Sequence, residues 1–247
     1  MAALDLPPAL VQAIEGMRRA FLWNAGERAS GAKCLVAWSA VCRPKHEGGL
    51  GFKPLAVRNS CLQMKLLHKL HTAAEAPWPR WVWNQTEGQR LATAGHHVAK
   101  LASLTPLYRD ISTCLVGDGR RTAFWLDRWA SDEPLCQMFA ALFSHALDPE
   151  ASVAQVLTRG VNACLVPRLN SAGTRQLPML LEIISGRLLT QNPDSRRLSR
   201  CAKKDGSLDA AALCRLGSWG GVDAPYAGFV WDNFAPSKVK FFAWLLS

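Results

Sequence analysis

The sequence predicts a mainly α protein with one or two small β-hairpins, a helical assembly truncated at its C-terminal end. Three observations carry this expectation. Apolar residues recur at three-and-four spacing in most segments. Only two turn signals, Asp118-Gly119 and Asp205-Gly206, invite a hairpin. The last segment, from Pro236 to Leu246, sets Val239, Phe241, Phe242, Trp244, Leu245 and Leu246 on a surface that one helix cannot bury alone, and it ends without a capping residue or polar tail.

In chain order, Leu10, Val11, Ile14, Met17, Phe21 and Leu22 form one helical stripe after Pro7-Pro8, ending near Asn24-Ala25-Gly26. A short apolar segment from Cys34 to Cys42, with Trp38 inside, runs into Pro44 and the Gly48-Gly49-Leu50-Gly51 turn. Between Pro54 and His71, Leu55, Leu62, Leu66 and Leu70 share one helical arc, with Arg58, Lys65 and Lys69 on the next. That basic edge reads as a solvated face or as one turned to phosphates. Residues 77–83 are dense in tryptophan, fitting core or a base-stacking platform. Residues 97–111 read as helix, and short runs of strand formers around Asp118-Gly119 read as a hairpin. Helices are expected over 134–147, over 152–159 with Ser152 and Gln155 in capping-box spacing, and from Leu177 to Leu189. A polar, basic stretch carries the second turn, followed by a helix over 207–216, the 217–225 loop and the terminal helix.

The 247 residues are 49% hydrophobic, enough for a real core, and no run of about 18 apolar residues suggests a membrane span. The N-terminus lacks the pattern of a secretory signal, so an intracellular, reducing compartment, nuclear or cytoplasmic, is expected, with the eight cysteines as core thiols. Net charge is +10 and uneven: residues 1–130 hold 17 Lys and Arg against 9 Asp and Glu, residues 131–247 hold 12 against 10. A polyphosphate partner would therefore meet the first half.

No catalytic pattern emerges. Polymerase chemistry needs paired aspartates holding two metal ions, and the chain has no Asp-Asp pair. Asp132-Glu133 has no second carboxylate cluster beside it. No Cys-x-x-Cys or ligand pair of zinc spacing occurs, and adjacent His96-His97 cannot both face one ion from a regular helix. The stretch from Gly48 to Lys53 lacks the spacing and hydroxyl of a phosphate loop, and there is no Gly-x-Ser-x-Gly elbow. No metal, cofactor or small-molecule substrate is expected.

Several motifs in order do carry a resemblance. They are Phe21-Leu-Trp-Asn24; the run from Gly31 to Pro44; Gly48-Gly-Leu-Gly51 followed by the helix containing Asn59; Val116-Gly-Asp-Gly119 with Phe124-Trp-Leu-Asp-Arg-Trp129 and Pro134-Leu135; and Val230-Trp231 with the run from Ala235 to Leu246. Together they resemble the region after the polymerase core in plant LINE-type, non-LTR retrotransposon reverse transcriptases, from about residue 8 to the last residue. The resemblance implies a helical post-polymerase region over 1–95, a hairpin-and-helix linker over 96–190, and over 191–247 the start of a reverse-transcriptase zinc-binding domain whose ligands lie downstream. It departs from the family at Ser199 and Cys214, where a tryptophan and a tyrosine are usual; each loss would cost about a few kcal/mol at a buried site.

The expectation is thus a non-catalytic, degenerate fragment whose ancestor contacted RNA or single-stranded DNA and linked a polymerase to a zinc-binding end. Its phosphate contacts would be Arg58, Lys65, Lys69, Arg120, Arg121, Arg128, Lys238 and Lys240, with Trp125 and Trp129 as stacking residues or core. The alternative is a protein-interaction module docking through its apolar C-terminal helix.

Overall fold

A computed structural model describes residues 6–24, 34–72, 76–85, 96–216 and 222–247. Its helices and strands are, in order, α1 (Pro8–Asn24), α2 (Trp38–Val41), α3 (Leu55–Thr72), α4 (Pro77–Gln85), α5 (His96–Ala102), α6 (Thr105–Asp110), β1 (Ser112–Leu115), α7 (Leu135–Met138), α8 (Ala140–Phe143), α9 (Val153–Arg159), α10 (Ser171–Ile184), β2 (Ser195–Leu198), α11 (Ala210–Leu216), α12 (Ala227–Trp231) and α13 (Ser237–Leu246). The protein is mainly α with one small two-stranded antiparallel sheet. Gly26, Gly31–Lys33 of the second motif and most of the 217–225 loop lie outside the described residues. No described helix is long and apolar enough to cross a membrane.

The chain divides into two units, Met1–Gln63 with Ala210–Ser247, and Met64–Asp209. In the first, Val41, Val230 and Trp244 are buried together, with Leu22, Trp23, Trp38 and Phe241 packed against them. Glu15 of α1 fastens this unit from inside. Its carboxylate accepts from the Leu55 backbone N–H at the start of α3 at 2.6 Å, from the Trp38 indole at 2.9 Å and from Arg18 at 3.0 Å. The start of α3 is thus capped by a residue from another helix, which meets one of its orphan N–H groups.

The second unit is built on a larger aromatic core. Phe124, Trp125, Trp129, Leu135, Phe139 and Leu142 are buried with Val153, Val156 and Leu180. Phe124 and Trp125 meet edge to face at 5.0 Å, the arrangement favoured by ring quadrupoles. Local signals set several helix limits. The expected capping box forms: Ser152 Oγ accepts from the Gln155 N–H, while the Gln155 side chain accepts from the Ser152 N–H. The 97–111 segment divides into α5 and α6 because Pro106, near the start of α6, cannot continue the preceding turn. The 134–147 segment likewise breaks into α7 and α8 at Phe139, which leaves helical geometry and is buried. α10 starts earlier than its leucines suggest, because Asn170 Oδ1 accepts from the Gly173 N–H at 2.7 Å and the helix runs through Pro178.

One expectation about strand pairing is corrected. The residues around Asp118-Gly119 do not pair with each other as a local hairpin. Instead β1 pairs antiparallel with β2, Ser112 opposite Leu198 and Leu115 opposite Ser195. The second turn does form: Ala202 bridges Leu208, Gly206 has φ 77°, and the Gly206 N–H donates to the Lys203 carbonyl.

Candidate nucleic-acid interface

The stretch from Val116 to Trp129 contains a Gly-Asp-Gly, two arginines and an acid between aromatics. Its geometry follows from Asp194, a buried residue 65 positions or more away along the chain. Asp194 Oδ1 accepts from the backbone N–H groups of Gly117 at 2.7 Å and Gly119 at 2.8 Å, and Oδ2 accepts from the Arg121 N–H at 2.9 Å and the Thr122 hydroxyl at 2.8 Å. Four donors aimed at one carboxylate hold the turn as firmly as a ladder would. Glycine is required at both positions. A Cβ on Gly117 would lie 2.2 Å from the Asn192 carbonyl oxygen, and Gly119 has φ +70° with the Ala154 nitrogen 2.9 Å from any Cβ.

This clasp presents the arginine pair. Arg120 is exposed, whereas Arg121 is half-buried with its guanidinium 5.0 Å from the Trp83 ring centroid. Arg121 Nη1 is buried without a hydrogen-bond partner. Burial pulls the Arg121 pKa below its ordinary value, and Asp118 and Asp194 oppose that. With Arg109, Thr122, Glu150 and Ser152 the pair lines a cleft of about 30 Å³. That is room for a water rather than a nucleotide, so any phosphate contact at this place is made on the surface.

Beneath it lies a second carboxylate. Asp127, 1% exposed, accepts from the Ala123 N–H at 2.7 Å, from Arg196 at 2.7 Å and from Arg109 Nε at 3.1 Å. Arg109 also reaches Glu150 at 3.2 Å. Burial alone would lower Arg196, but Asp127 beside it holds the guanidinium above its usual pKa. Arg196 also faces the Tyr108 ring at 5.4 Å, and the Tyr108 hydroxyl meets His68 Nδ1 at 2.9 Å. His71 stacks on Tyr108 at 5.3 Å and tilts against Trp83 at 5.1 Å. Burial, then the nearby Arg196 and Arg121 charges, push His71 well below the ordinary histidine value. Burial raises Tyr108, and it pushes the Cys114 thiol up to about 12. The histidine stays neutral, and the phenol and thiol are moved further from neutrality, which suits a core more than acid–base work near pH 7.

The remaining expected contacts are distributed between the units. Arg58 and Lys238 in the first unit are exposed, while Lys240 donates to the Trp231 carbonyl at 2.8 Å at the end of α12. In the second unit Lys69 is exposed and Lys65 half-buried. Arg128 donates to the Asp110 carbonyl at 3.0 Å, so its head is engaged within the chain. Arg120 and Arg121 are brought to one cleft, together with Arg109, which no sequence pattern marked. Trp125 and Trp129 are 1% and 7% exposed, which makes them core. The exposed aromatics of this unit are Trp78 and Trp81 of α4, at 36% and 59%, while Trp83 is buried and donates its N–H to the Leu70 carbonyl at 3.0 Å. Among the described residues no three of His, Cys, Asp and Glu come together in a way that could hold a metal ion.

Comparison with known proteins gives two relatives. The whole chain aligns, at 26% identity over 261 residues, with a protein of Arabidopsis thaliana that bears the name "Putative ribonuclease H protein". The chain spans 41% of that protein's length. A second Arabidopsis thaliana protein, named an uncharacterized mitochondrial protein, is 27% identical over 157 residues, covering 54% of this chain and 91% of its own. No family model matches the sequence, and no solved structure matches it.

Proposed function

We propose that this chain is a non-catalytic segment of a LINE-type retrotransposon reverse transcriptase polyprotein, surviving as a degenerate remnant. In its parent it contacted RNA or single-stranded DNA and linked the polymerase to a zinc-binding domain. The observation that carries the reading is the alignment of the entire chain within a longer plant protein that bears the name "Putative ribonuclease H protein". The basic first half and the outward Arg120, set on a clasped turn, supply a phosphate contact of the right sign. Exposed Trp78 and Trp81 supply aromatic faces on which unpaired bases stack.

Fluorescence anisotropy with labelled RNA and single-stranded DNA oligonucleotides across a salt series tests this. Binding should weaken with salt, and the double variant Arg120→Ala, Arg121→Ala should flatten the log–log slope by about 0.7 for each phosphate no longer neutralised. Absence of binding at low salt would sink any retained nucleic-acid role.

A second reading rests on α13, where Val239, Phe242 and Leu246 are 53%, 68% and 85% exposed on one helical stripe. Such a face suits docking of a partner protein. Strong protection of α13 amides from exchange in a monomeric chain would oppose this second reading.

A further inference from the structure

Two thiols in the first unit face each other. Cys61 of α3 is 5% exposed and Cys214 of α11 is 3% exposed, and their Sγ atoms are 2.7 Å apart although 153 residues separate them in the chain. We propose that Cys61 and Cys214 form a redox modification site, at which an oxidant of the peroxide class converts the facing thiols into a disulfide joining α3 to α11. This inference stands independently of the nucleic-acid reading.

The chemistry closes without a further reactant. One thiol, as thiolate, attacks the peroxide oxygen, breaking the O–O bond; its sulfur becomes a sulfenic acid and one water leaves. The second thiol attacks that sulfur, forming the S–S bond and releasing a second water. Two thiols are oxidised by two electrons in total, and one peroxide is reduced to two waters.

Geometry favours the second step over the competing ones. A sulfenic acid formed on either cysteine already has the other sulfur in contact, so capture is effectively unimolecular and outruns further oxidation to sulfinic acid. Burial means that the first step waits on local opening. α11 supplies that opening, because it is seven residues long, too short to be stable by itself, and Leu216 at its end is 50% exposed. The bond would tie the residues 1–63 part of the first unit to its 210–247 part, the two lengths of chain that build its core.

The full chain, purified under reductant and then exchanged into buffer with a small excess of hydrogen peroxide, is digested and mapped by mass spectrometry without reduction. The expected product is a linked peptide pair containing Cys61 and Cys214, two hydrogens lighter than the sum of its parts and separated again by a phosphine reductant. Cys61→Ser and Cys214→Ser should each lose it completely, while Cys201→Ser should retain it. Where a serine variant loses its circular dichroism, Cys61→Ala and Cys214→Ala serve in its place. The urea midpoint of the oxidised wild-type chain should exceed that of the reduced chain, and this rise should vanish in either single variant. The proposal is overturned if the folded chain yields sulfinic acid at these positions with no linked pair. It is overturned equally if links scatter among the eight cysteines, or if the pair appears only in denaturant.

Discussion

The two units solve the same problem, holding short helices together, in different ways. The second unit sinks Phe124, Trp125, Leu142 and Leu180 completely and threads two buried carboxylates, Asp127 and Asp194, through its loops. The first unit holds the start of α3 and the Trp38 indole through the partly buried Glu15 carboxylate and leaves Phe21, Phe229, Phe234, Phe242 and Leu246 largely exposed. The difference teaches that the run from Val116 to Trp129 is held by a buried aromatic core and by carboxylates that reach it from far along the chain. The first unit has a smaller buried core and leaves several phenylalanines on its surface, Val239 and Phe242 of α13 among its exposed apolar residues.

The comparison is broken most easily at Asp127. Asp127→Ala leaves the Arg196 guanidinium, with 4% of its side chain exposed, buried without its carboxylate, and should cost about 3–5 kcal/mol in urea unfolding of the second unit. A cost near zero would show that the arginine finds water and that the knot is not structural. Glu15→Ala is the counterpart in the first unit. It strips the Trp38 indole and the Leu55 N–H of their acceptor at a site with 13% side-chain exposure, and should cost about 1–3 kcal/mol, less than Asp127→Ala. Reversal of that order would reverse the contrast between the units.

Acid should act on the second unit through His71. Its folded pKa lies well below the ordinary 6.5, so the unfolded chain takes up this proton first as pH falls. The stabilisation is fully present above pH 6.5 and is lost as pH drops from there toward the depressed folded value, at up to about 1.4 kcal/mol per pH unit. Urea midpoints measured between pH 7.5 and 5.5 should show this loss, and His71→Phe should remove its share of the slope. The smallest expected effect is at Phe242: Phe242→Ser, at a residue 68% exposed, should change stability by less than about 0.5 kcal/mol. It should nonetheless reduce any self-association seen by sedimentation, which would sharpen the view of α13 as a covering surface.

Short-range chemistry was readable from the chain. Ser152 and Gln155 announced their capping box, Pro236 marked a helix start, and Asp205-Gly206 marked its turn. The Asp118-Gly119 signal, flanked by strand formers, was read as a local hairpin, but the acceptor that the Gly117 and Gly119 N–H groups use is Asp194. No local pattern joins residues so far apart in sequence. The candidate interface was legible only in outline: Arg120 and Arg121 were picked out as basic, but Arg128 is engaged by Asp110, and Arg109 enters the cleft from α6. The departures at 199 and 214 also differ. Ser199, where the resemblance implied a tryptophan, is exposed, whereas Cys214, where it implied a tyrosine, is buried against Cys61.

By itself the sequence determined the helical character, the Ser152 capping box and the basic balance of the first half, because these depend on side chains within one or two turns of each other or on composition alone. Only the tertiary structure decided that β1 takes β2 as its partner, that Trp125 and Trp129 are core while Trp81 faces out, and that residues 1–63 share a core with residues 210–247. Those outcomes depend on which distant donors, rings and carboxylates reach the same point in space. The periodicity that marks a buried helical face says nothing about what buries it.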